Sequence, residues 1–254
     1  MSLTLSVALI TRNEEANLAR TLQSVRWADE IVVLDCGSTD RTEEIADQFG
    51  AKFFVEQWRG FGAQKNAAIA RCSGDWVLSL DADEEISAEL GGEIRRLLGG
   101  VPPYDAYFLP RRNLFLGRWM RHGGYWPDRK LRLFRRGSAQ FEDSAVHETM
   151  RCAGEAGRLS GAMIHHAYPT LDVYIEHMNR YSSLGAGQVA GRGKTSRSIL
   201  SFLWNVYLNP VATFQYNYFL RGGFLDGREG LLLHLYHSAY VSLKYAKAWE
   251  RGRS

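Results

Sequence analysis

The sequence predicts an α/β protein with a mainly parallel sheet, followed by a helical C-terminal extension. Short apolar runs alternate with helical patterns over the first hundred residues, and such alternation is typical of βαβ units. From about residue 171 the pattern is helical almost to the end. With 254 residues, 45% hydrophobic and 12% aromatic, the chain can bury a core, which excludes disorder. We expect two domains, 1–168 and 169–254.

The predicted strands of the first half are short runs rich in β-branched or aromatic residues. Four of them lie at 5–10, 30–36, 52–56 and 76–81. After the first, Leu18, Leu22 and Val25 repeat at the spacing of one helix face. Thr11 and Glu14 have the spacing of a capping box, so Thr11 is predicted to cap this helix. Beyond a break rich in Gly and Pro, two more strands are expected at 106–111 and 130–136.

Missing motifs exclude several classes of protein. No GxGxxG follows the first strand, which disfavours a dinucleotide fold, and no GxxxxGK[ST] indicates a P-loop. Cys36, Cys72 and Cys152 are odd in number and scattered, which fits a reducing cytosol better than a disulfide framework. The start of the chain has no basic n-region, so no secretory signal is expected. The apolar stretch 199–220 is too interrupted by Asn and Pro for a membrane span.

The positive charge of the chain is concentrated in two segments, although the overall net charge is only +3. From Arg111 to Arg136 there are nine Lys or Arg residues against one acid, Asp128, a net charge of +8. From Lys194 to Ser254 eight basic residues stand against three acids, a net charge of +5. Such segregation favours anionic partners for both segments, and ordinary solvated surface is the alternative.

Two carboxylates, Asp81 and Asp83, stand at the end of the predicted buried strand 76–81. Gathering them costs free energy unless a positive charge joins them. A divalent cation that carries a diphosphate would do so, because Mg²⁺ or Mn²⁺ takes carboxylate oxygens and keeps positions for phosphate. The alternative is an acidic loop that leads into a helix with Asp83 as N-cap.

Asp35 and Lys65 are two further candidates for a ligand site. Asp35 ends the second predicted strand, and the carboxyl ends of parallel strands share one edge, so it should lie on the same edge as Asp81. Its carboxylate could accept from a uracil N–H or a ribose hydroxyl, or it could be an ordinary turn residue. Lys65 lies near the start of the third predicted helix, where it could meet a phosphate or the base, or remain a surface lysine.

Four motifs, "LITRNEEANL", "VVLDCGSTDRT", "GFGAQKNAA" and "VLSLDADE", resemble in order and spacing the nucleotide-sugar-binding half of glycosyltransferase family two, which has the GT-A fold. The later pieces "GGYWPDRKLRLFRR", "VHE", "HHAY", "FLDGREG" and "YAKAWE" resemble lipopolysaccharide-core glucosyltransferases of the WaaE/KdtX type. One departure is Arg12, which stands where the family usually has an aromatic residue before the Asn of the first motif.

The resemblance implies roles for particular residues. The nucleotide-sugar site would comprise Ile10, Thr11, Glu14, Asp35, Lys65, Asp81 and Ala82. The metal, Mg²⁺ or Mn²⁺, would be held with the diphosphate by Asp81 and Asp83, with His147 and His165 nearby. Glu148 occupies the position of the family's general base. Asp128 is the second candidate, since it is the one acid of the basic segment and lies in a loop rich in Gly and Trp.

The resemblance also implies a reaction and its partners. The protein would transfer a hexose, with inversion, from a UDP-sugar such as UDP-glucose to a lipid-linked saccharide such as the heptose of the lipopolysaccharide inner core. It would be cytoplasmic and peripheral to the inner membrane, on an anionic surface, with no nucleic-acid partner. Two alternatives remain open: a catalytically inactive membrane-surface scaffold, and a sugar nucleotidyltransferase, which would usually carry a glycine-rich phosphate loop near the first strand.

Overall fold

The computed structural model describes residues 3–142, 149–191, 193 and 196–252. The chain forms two compact units. The first comprises Met1–Arg111 with Asp128–His165, and the second comprises Arg112–Pro127 with His166–Ser254. The domains 1–168 and 169–254 stay a prediction.

Strands dominate the first unit, and long helices dominate the second. The strands are β1 Leu5–Thr11, β2 Glu30–Asp35, β3 Lys52–Val55, β4 Trp76–Asp81, β5 Glu84–Ile86, β6 Ala106–Phe115, β7 Arg118–Trp119, β8 Asp128–Arg135, β9 Ala139–Phe141, β10 Met150–Cys152, β11 Ala156–Arg158 and β12 Met163–Tyr168. The helices are α1 Leu18–Ser24, α2 Thr42–Gln48, α3 Phe61–Ile69, α4 Ala88–Leu98, α5 Leu171–Gly191, α6 Ile199–Leu203, α7 Asn209–Gln215 and α8 Gly227–Arg251. The α/β fold with a helical C-terminal part is confirmed.

The sheet of the first unit has the strand order β3-β2-β1-β4-β8-β6-β12-β5, and β11 pairs with β6. Pairing is parallel from β3 to β4, as the βαβ alternation predicts. β4 then pairs antiparallel with β8, and β8 pairs antiparallel with β6. The N-terminal βαβ half is therefore entirely parallel, whereas the later strands add mostly antiparallel pairs, with β11 parallel to β6 as the exception.

The central strands are buried on both faces, which explains their nearly continuous apolar sequences. β1 and β4 carry fully buried residues such as Val7, Leu9, Trp76 and Leu78, and they share a core cluster with α1 and α4. Helix α4 begins where the Ser87 side chain accepts from the Leu90 N–H at 3.2 Å. Its apolar face packs on the sheet through residues such as Ile94.

The predicted capping box at Thr11 and Glu14 is wrong. Thr11 is the last residue of β1, and its hydroxyl donates to the Asp35 carboxylate at 2.8 Å. Helix α1 begins only at Leu18. The intervening turn is set by Asn13, which has a φ of 55° and whose side-chain oxygen accepts from the backbone of the β2–α2 loop. Thr11 does not cap the helix because its hydroxyl donates to a charged partner across the sheet edge.

The second unit is built on helices α5 and α8, which pack against each other. A cluster of Phe115, Met120, Tyr174 and Leu233 forms its core. The rings of Phe115 and Tyr174 meet edge to face with centroids 5.3 Å apart. None of the described helices combines the length and the apolar character needed to cross a bilayer.

His234 on α8 lies within a tightly packed cradle of glycines. It is buried, and a side chain at Gly123 or Gly223 would collide with its ring. Among the described residues neither ring nitrogen has a hydrogen-bond partner. The pKa of His234 is lowered to about 4, chiefly by burial and also by the neighbouring His237 and Arg221, while Asp226 opposes the change. The imidazole is therefore neutral at physiological pH.

Candidate active site

The register of the parallel strands brings the predicted site residues to one edge. Thr11 at the end of β1 pairs with Asp35 at the end of β2. On the other side of β1, Ile10 pairs with Asp81 at the end of β4. Asp35 and Asp81 therefore flank the same strand end, as expected from the rule that ligands meet parallel sheets at their carboxyl edge.

Asp35 organises the loop after β2. Its carboxylate accepts from the Thr11 hydroxyl at 2.8 Å, from the N–H groups of Gly37 and Ser38 at 2.7 Å each, and from the Ser38 hydroxyl at 2.5 Å. A carboxylate has about four acceptor sites, so these four donors use its capacity. A nucleoside N–H or hydroxyl would have to replace one of them, and contact of Asp35 with uridine stays a prediction.

Asp81 joins two buried cations. Its Oδ1 lies 2.6 Å from Nζ of Lys65, and its Oδ2 lies 2.6 Å from a guanidinium nitrogen of Arg132. Burial raises the pKa of this carboxyl, but Arg132 and Lys65 outweigh it and hold the pKa well below its usual range. Asp81 is thus a fixed anion, and Lys65 is buried within the site and not at the surface.

Glu84 is fully buried beside Asp81 and was not predicted from the sequence. Its Oε1 accepts from Arg111 at 3.0 Å and from Arg132 at 3.1 Å, and its Oε2 accepts from the Asp81 N–H at 3.0 Å. Arg111 also donates to Asp128 at 2.7 and 2.9 Å. We call this set of Lys65, Asp81, Glu84, Arg111, Asp128 and Arg132 the charge network. Its two arginines lie in predicted strands among apolar neighbours, which is the signal that could have revealed them.

Asp83 and His165 face each other next to the charge network. Asp83 Oδ2 lies 3.3 Å from Nε2 of His165, which is held in place because the backbone of His165 pairs with Glu84 between β12 and β5. Burial raises the pKa of Asp83, but the interaction with His165 and other charges brings it below its usual value. A carboxylate from the β4–β5 turn and an imidazole from β12 converge here.

Asp83 and His165 suit a divalent metal whose other ligands come from substrate phosphates and water. Among the described residues, no group of three or more His, Cys, Asp or Glu side chains could hold a metal. Mg²⁺ is commonly bound by one or two carboxylates and completed by substrate phosphates and water, and imidazole extends the choice to softer ions. Asp83 and His165 fit such a site as protein ligands, while both oxygens of Asp81 are already paired with cations.

Ala82 and Glu14, the remaining residues predicted for the nucleotide-sugar site, differ in burial and in hydrogen bonding. Ala82 is buried, and its carbonyl accepts from the Thr21 hydroxyl at 2.6 Å. Glu14 is half-buried and accepts from the Asn17 amide at 3.0 Å. Burial is the main cause of the raised pKa of Glu14, and the negative charges of Asp83, Asp40 and Asp81 add to it. That influence indicates that Glu14 lies close to the carboxylate edge.

Of the two candidates for the catalytic base, only Asp128 lies among the described residues. Glu148 and His147 lie outside the described residues, so their roles stay predictions. Asp128 has a described position at the start of β8, where Arg111 and Lys130 pair with its carboxylate at 2.7 and 3.1 Å. A carboxylate that is paired with two cations is a weaker base, because the positive charges stabilise its ionised form.

Part of the positive charge between residues 111 and 136 is balanced by carboxylates within the protein. Arg111, Lys130 and Arg132 pair with carboxylates of the charge network. Arg135 pairs with Asp105. In the second unit the guanidinium groups of Arg112 and Arg121 each lie 4.7 Å from the centroid of the Trp119 ring, a cation–π arrangement.

The sheet has the strand order given above, and its carboxyl edge carries Asp35 and Asp81 on either side of β1. This is the arrangement of a nucleotide-sugar glycosyltransferase with the GT-A fold. The sequence model of Glycosyl transferase family 2 matches residues 6–148, and the chain belongs to this family.

The chain is 31% identical to the lipopolysaccharide core biosynthesis glycosyltransferase LpsC of Rhizobium meliloti (strain 1021), over 98% of this chain and 93% of that protein. It is also 31% identical to an uncharacterized glycosyltransferase of Rickettsia typhi, over 87% of this chain and 81% of the other.

Among solved structures, the chain is similar to glucosyl-3-phosphoglycerate synthase from Mycobacterium tuberculosis in complex with Mn²⁺, UDP-glucose and phosphoglyceric acid. The identity is 27%, over 43% of this chain and 44% of that chain, with a TM-score of 0.38.

Proposed function

We propose that the protein transfers a hexose, with inversion, from a UDP-sugar to a lipid-linked saccharide. The donor is UDP-glucose and the acceptor is the heptose of the lipopolysaccharide inner core. Support for the acceptor comes from a full-length relative that is named for lipopolysaccharide core biosynthesis. Support for the donor comes from the family and from the carboxylate edge of the sheet.

One observation carries the proposal: Asp83 and His165 converge within 3.3 Å, next to a carboxylate that two buried cations neutralise. Asp83 and His165 would hold a Mg²⁺ or Mn²⁺ ion together with the diphosphate of the donor. When bound, the ion neutralises the negative charge that develops on the departing diphosphate. His147, which the sequence also suggests, remains a further proposed ligand.

The chain's own residues orient the donor. Lys65 and Arg132 fix Asp81 in one rotamer, and Glu84 accepts from the Asp81 backbone, so the β4–β5 turn has a defined conformation. Thr11, Ile10 and Glu14 border the place of the nucleoside at the end of β1, and the Asp35 loop closes its other side. Holding the anomeric carbon in line with the attacking hydroxyl lowers the entropic part of the barrier.

We assign the general base to Glu148, with Asp128 as the second candidate. The base removes the proton of the acceptor hydroxyl as that oxygen attacks from the face opposite the diphosphate. Asp128 is the weaker choice because Arg111 and Lys130 already neutralise it. Arg112 and Arg121, stacked on Trp119, are proposed to contact the phosphates or acid sugars of the acceptor.

The reaction is proposed to take place on the cytoplasmic face of the inner membrane, with the protein bound peripherally. A lipid-linked acceptor keeps its reactive sugar close to the bilayer, so an enzyme at an anionic surface meets it in two dimensions. The segment 194–254, with its net charge of +5, suits such a surface.

Thermal shift with a panel of UDP-sugars and Mn²⁺, followed by turnover assays, tests the proposal. A ligand at a hundredfold excess over its Kd stabilises the fold by about 2.7 kcal/mol. We expect UDP-glucose with Mn²⁺ to raise Tm, and EDTA, Asp83→Asn or His165→Ala to remove most of that shift and of the turnover. Asp105→Asn, a surface carboxylate paired with Arg135, is the matched control.

Three other results are informative. Turnover that persists fully in EDTA would contradict the metal proposal. A shift without turnover on any acceptor would favour the inactive scaffold. Pyrophosphate release from a sugar phosphate and UTP would favour the nucleotidyltransferase.

A further inference from the structure

The segment Ile199–Leu220 of the second unit is continuously helical: α6, the π-helical turn Trp204–Leu208, α7 and the π-helical turn Tyr216–Leu220 follow one another. Its exposed residues recur in pairs every four positions. They are Ile199, Leu200, Leu203, Trp204, Tyr207, Leu208, Val211, Ala212, Gln215, Tyr216, Phe219 and Leu220. Every one except Gln215 is apolar or aromatic. We call this surface the outer face.

The inner face of the same segment lies against α8 and contains the polar side chains. These are Ser201, Asn205, Asn209, Thr213 and Asn217, none of which is exposed. Across the contact, the Ser242 hydroxyl of α8 donates to the Val206 carbonyl at 2.7 Å, and the Ser238 hydroxyl donates to the Pro210 carbonyl at 2.6 Å. The inner face also holds apolar residues such as Val206 and Pro210, so the segment differs from a helix of a water-soluble protein mainly in its exposed outer face, which is apolar where such a helix is polar.

The π-helical turns explain why the outer face stays on one side. An α-helix has 3.6 residues per turn, so a four-residue repeat drifts by about 40° each time it recurs. Over this segment the apolar stripe of a regular helix would wind away from its starting side. A π-helical turn is wider, and two of them offset the drift. The departure from regular helix geometry therefore keeps the apolar outer face intact.

We propose that the outer face is a membrane-docking surface that lies in the interfacial region of an anionic phospholipid bilayer, with the helix parallel to the membrane plane. Trp204, Tyr207 and Tyr216 are amphipathic aromatics of the kind that favour this region. No charged residue lies between Arg197 and Arg221, and these two exposed arginines flank the segment in sequence, where they could meet anionic headgroups. The inference deepens the proposed function, since a lipid-linked acceptor lies at the same surface.

A second copy of the chain suits the outer face less well. Two outer faces that met about a twofold axis would bring arginines of one copy towards arginines of the other, whichever way the helices ran. No acid between Arg197 and Leu225 is present to compensate them. An anionic lipid surface supplies that compensation along the whole segment.

Vesicle flotation of the full chain tests the proposal without donor, metal or acceptor. We expect the protein to float with phosphatidylcholine vesicles that contain phosphatidylglycerol, and to float less at high salt or without the anionic lipid. Leu200→Glu with Leu220→Glu alters the two most exposed large hydrophobic residues of the segment, at 77% and 79%, so the fold should be kept. The partition coefficient should fall about tenfold or more, because each charge opposes insertion of apolar area.

Three variants refine the measurement. Val101→Glu places a charge on a residue that is 94% exposed in the first unit, and it should float like the wild type. Arg197→Gln should lower binding to anionic vesicles about fivefold and leave binding to neutral vesicles unchanged. Brominated lipids should quench the tryptophan fluorescence of the wild type more than that of Trp204→Phe.

The proposal is overturned if the wild type does not float with anionic vesicles at low salt, or if the Leu200/Leu220 double variant floats equally well. It is also overturned if light scattering shows a dimer that the double variant dissociates, without vesicle binding. A thermal shift by UDP-sugar that survives in the double variant separates the two proposals. Flotation without any UDP-sugar binding would leave the docking surface standing and remove the proposed function.

Discussion

The carboxylate edge of the first unit and the helical segment 199–220 of the second treat polar groups in opposite ways. At the edge, charged side chains are drawn inward and balanced by one another, and apolar strands surround them. In the segment, a row of uncharged polar side chains faces inward, and the outer face is apolar or aromatic except for Gln215. The first arrangement is suited to holding a charged ligand, and the second to meeting a surface that is not water.

The two regions also differ in the free energy that is lost when their polar groups are buried on folding. Buried ions lose hydration, and their mutual attraction repays that loss only where every partner is present. Buried amides and hydroxyls lose much less, and single hydrogen bonds satisfy them. Substitutions at the edge should therefore have large effects, and substitutions on the inner face of the segment small ones. Of the four predictions below, given in order of expected size, those for Glu84 and Ser242 test this contrast directly.

The largest effect is expected from the proposed base. Neither metal nor donor binding needs it, so Glu148→Gln should leave UDP-sugar affinity nearly unchanged while kcat falls about 10²–10⁴-fold. Asp128→Asn should have a smaller effect on kcat, because Arg111 and Lys130 already neutralise that carboxylate. Steady-state kinetics with a donor-binding assay measure both. Near-normal kcat in Glu148→Gln with loss in Asp128→Asn would reverse the assignment, and normal kcat in both would exclude both.

The second prediction concerns Glu84, the buried carboxylate of the charge network. Glu84→Gln removes the charge that compensates Arg111 and Arg132, and loss of one partner of a buried ion pair costs about 3–5 kcal/mol. We expect the free energy of unfolding in urea to fall by that amount. Asp105→Asn removes an exposed pair with Arg135 and should cost about 1 kcal/mol or less. Equal losses in the two variants would mean that burial does not set the cost.

The third prediction uses the pH dependence of stability to test His234. Its pKa is about 4 in the folded protein and about 6.5 in the unfolded chain, so the unfolded state takes up the proton first as pH falls. Stability from neutral His234 is complete above pH 6.5 and is lost as the pH falls towards 4. The loss amounts to roughly 3 kcal/mol, at about 1.4 kcal/mol per pH unit.

His234→Phe should remove this component, so the difference in unfolding free energy between the variant and the wild type should shift between pH 7 and pH 4.5. His166→Gln, a half-buried histidine, serves as the control. Parallel curves for His234→Phe and the wild type would show that His234 is protonated equally in both states.

The sequence predicts the edge well because its chemistry lies in short contiguous motifs. The runs that end at Asp35 and Asp81 become β2 and β4, and parallel pairing then requires these residues to flank β1. Arg111, Arg132 and Glu84 were missed as a group because antiparallel β6 and β8 bring them there, and the pairing of distant strands is not written in local periodicity. Thr11 was misjudged because its hydroxyl has a carboxylate partner 24 residues away.

The orientation of segment 199–220 escaped prediction for a different reason. Its sequence contains a four-residue period, with polar residues at Ser201, Asn205, Asn209, Thr213 and Asn217. A search for the period of an α-helix does not detect it, because 3.6 and 4 fall out of step within two or three repeats. The Asn residues that argued against a membrane span, Asn205, Asn209 and Asn217, belong to this polar row, which lies on the inner face of the helix.

The smallest effect, and the finest test of the contrast, is expected for Ser242→Ala on α8. In an α-helix the carbonyl of Val206 would accept from the N–H of residue 210, but residue 210 is proline and has none. The Ser242 hydroxyl supplies that hydrogen bond at 2.7 Å. Its loss removes this bond from a half-buried carbonyl that has no α-helical donor, and the free energy of unfolding should fall by about 1 kcal/mol.

Ser238→Ala is the matched control, because it removes a similar bond one turn earlier on the same helix. The carbonyl of Pro210, which Ser238 contacts at 2.6 Å, can also accept from the N–H of Phe214 within α7. Ser238→Ala should therefore cost less than Ser242→Ala, although the two bonds are nearly equal in length. If Ser238→Ala costs as much or more, the proline gap is not what Ser242 repairs. If Ser242→Ala costs as much as Glu84→Gln, the inner face depends on its polar contacts as strongly as the edge depends on its charges, and the contrast between the two regions fails.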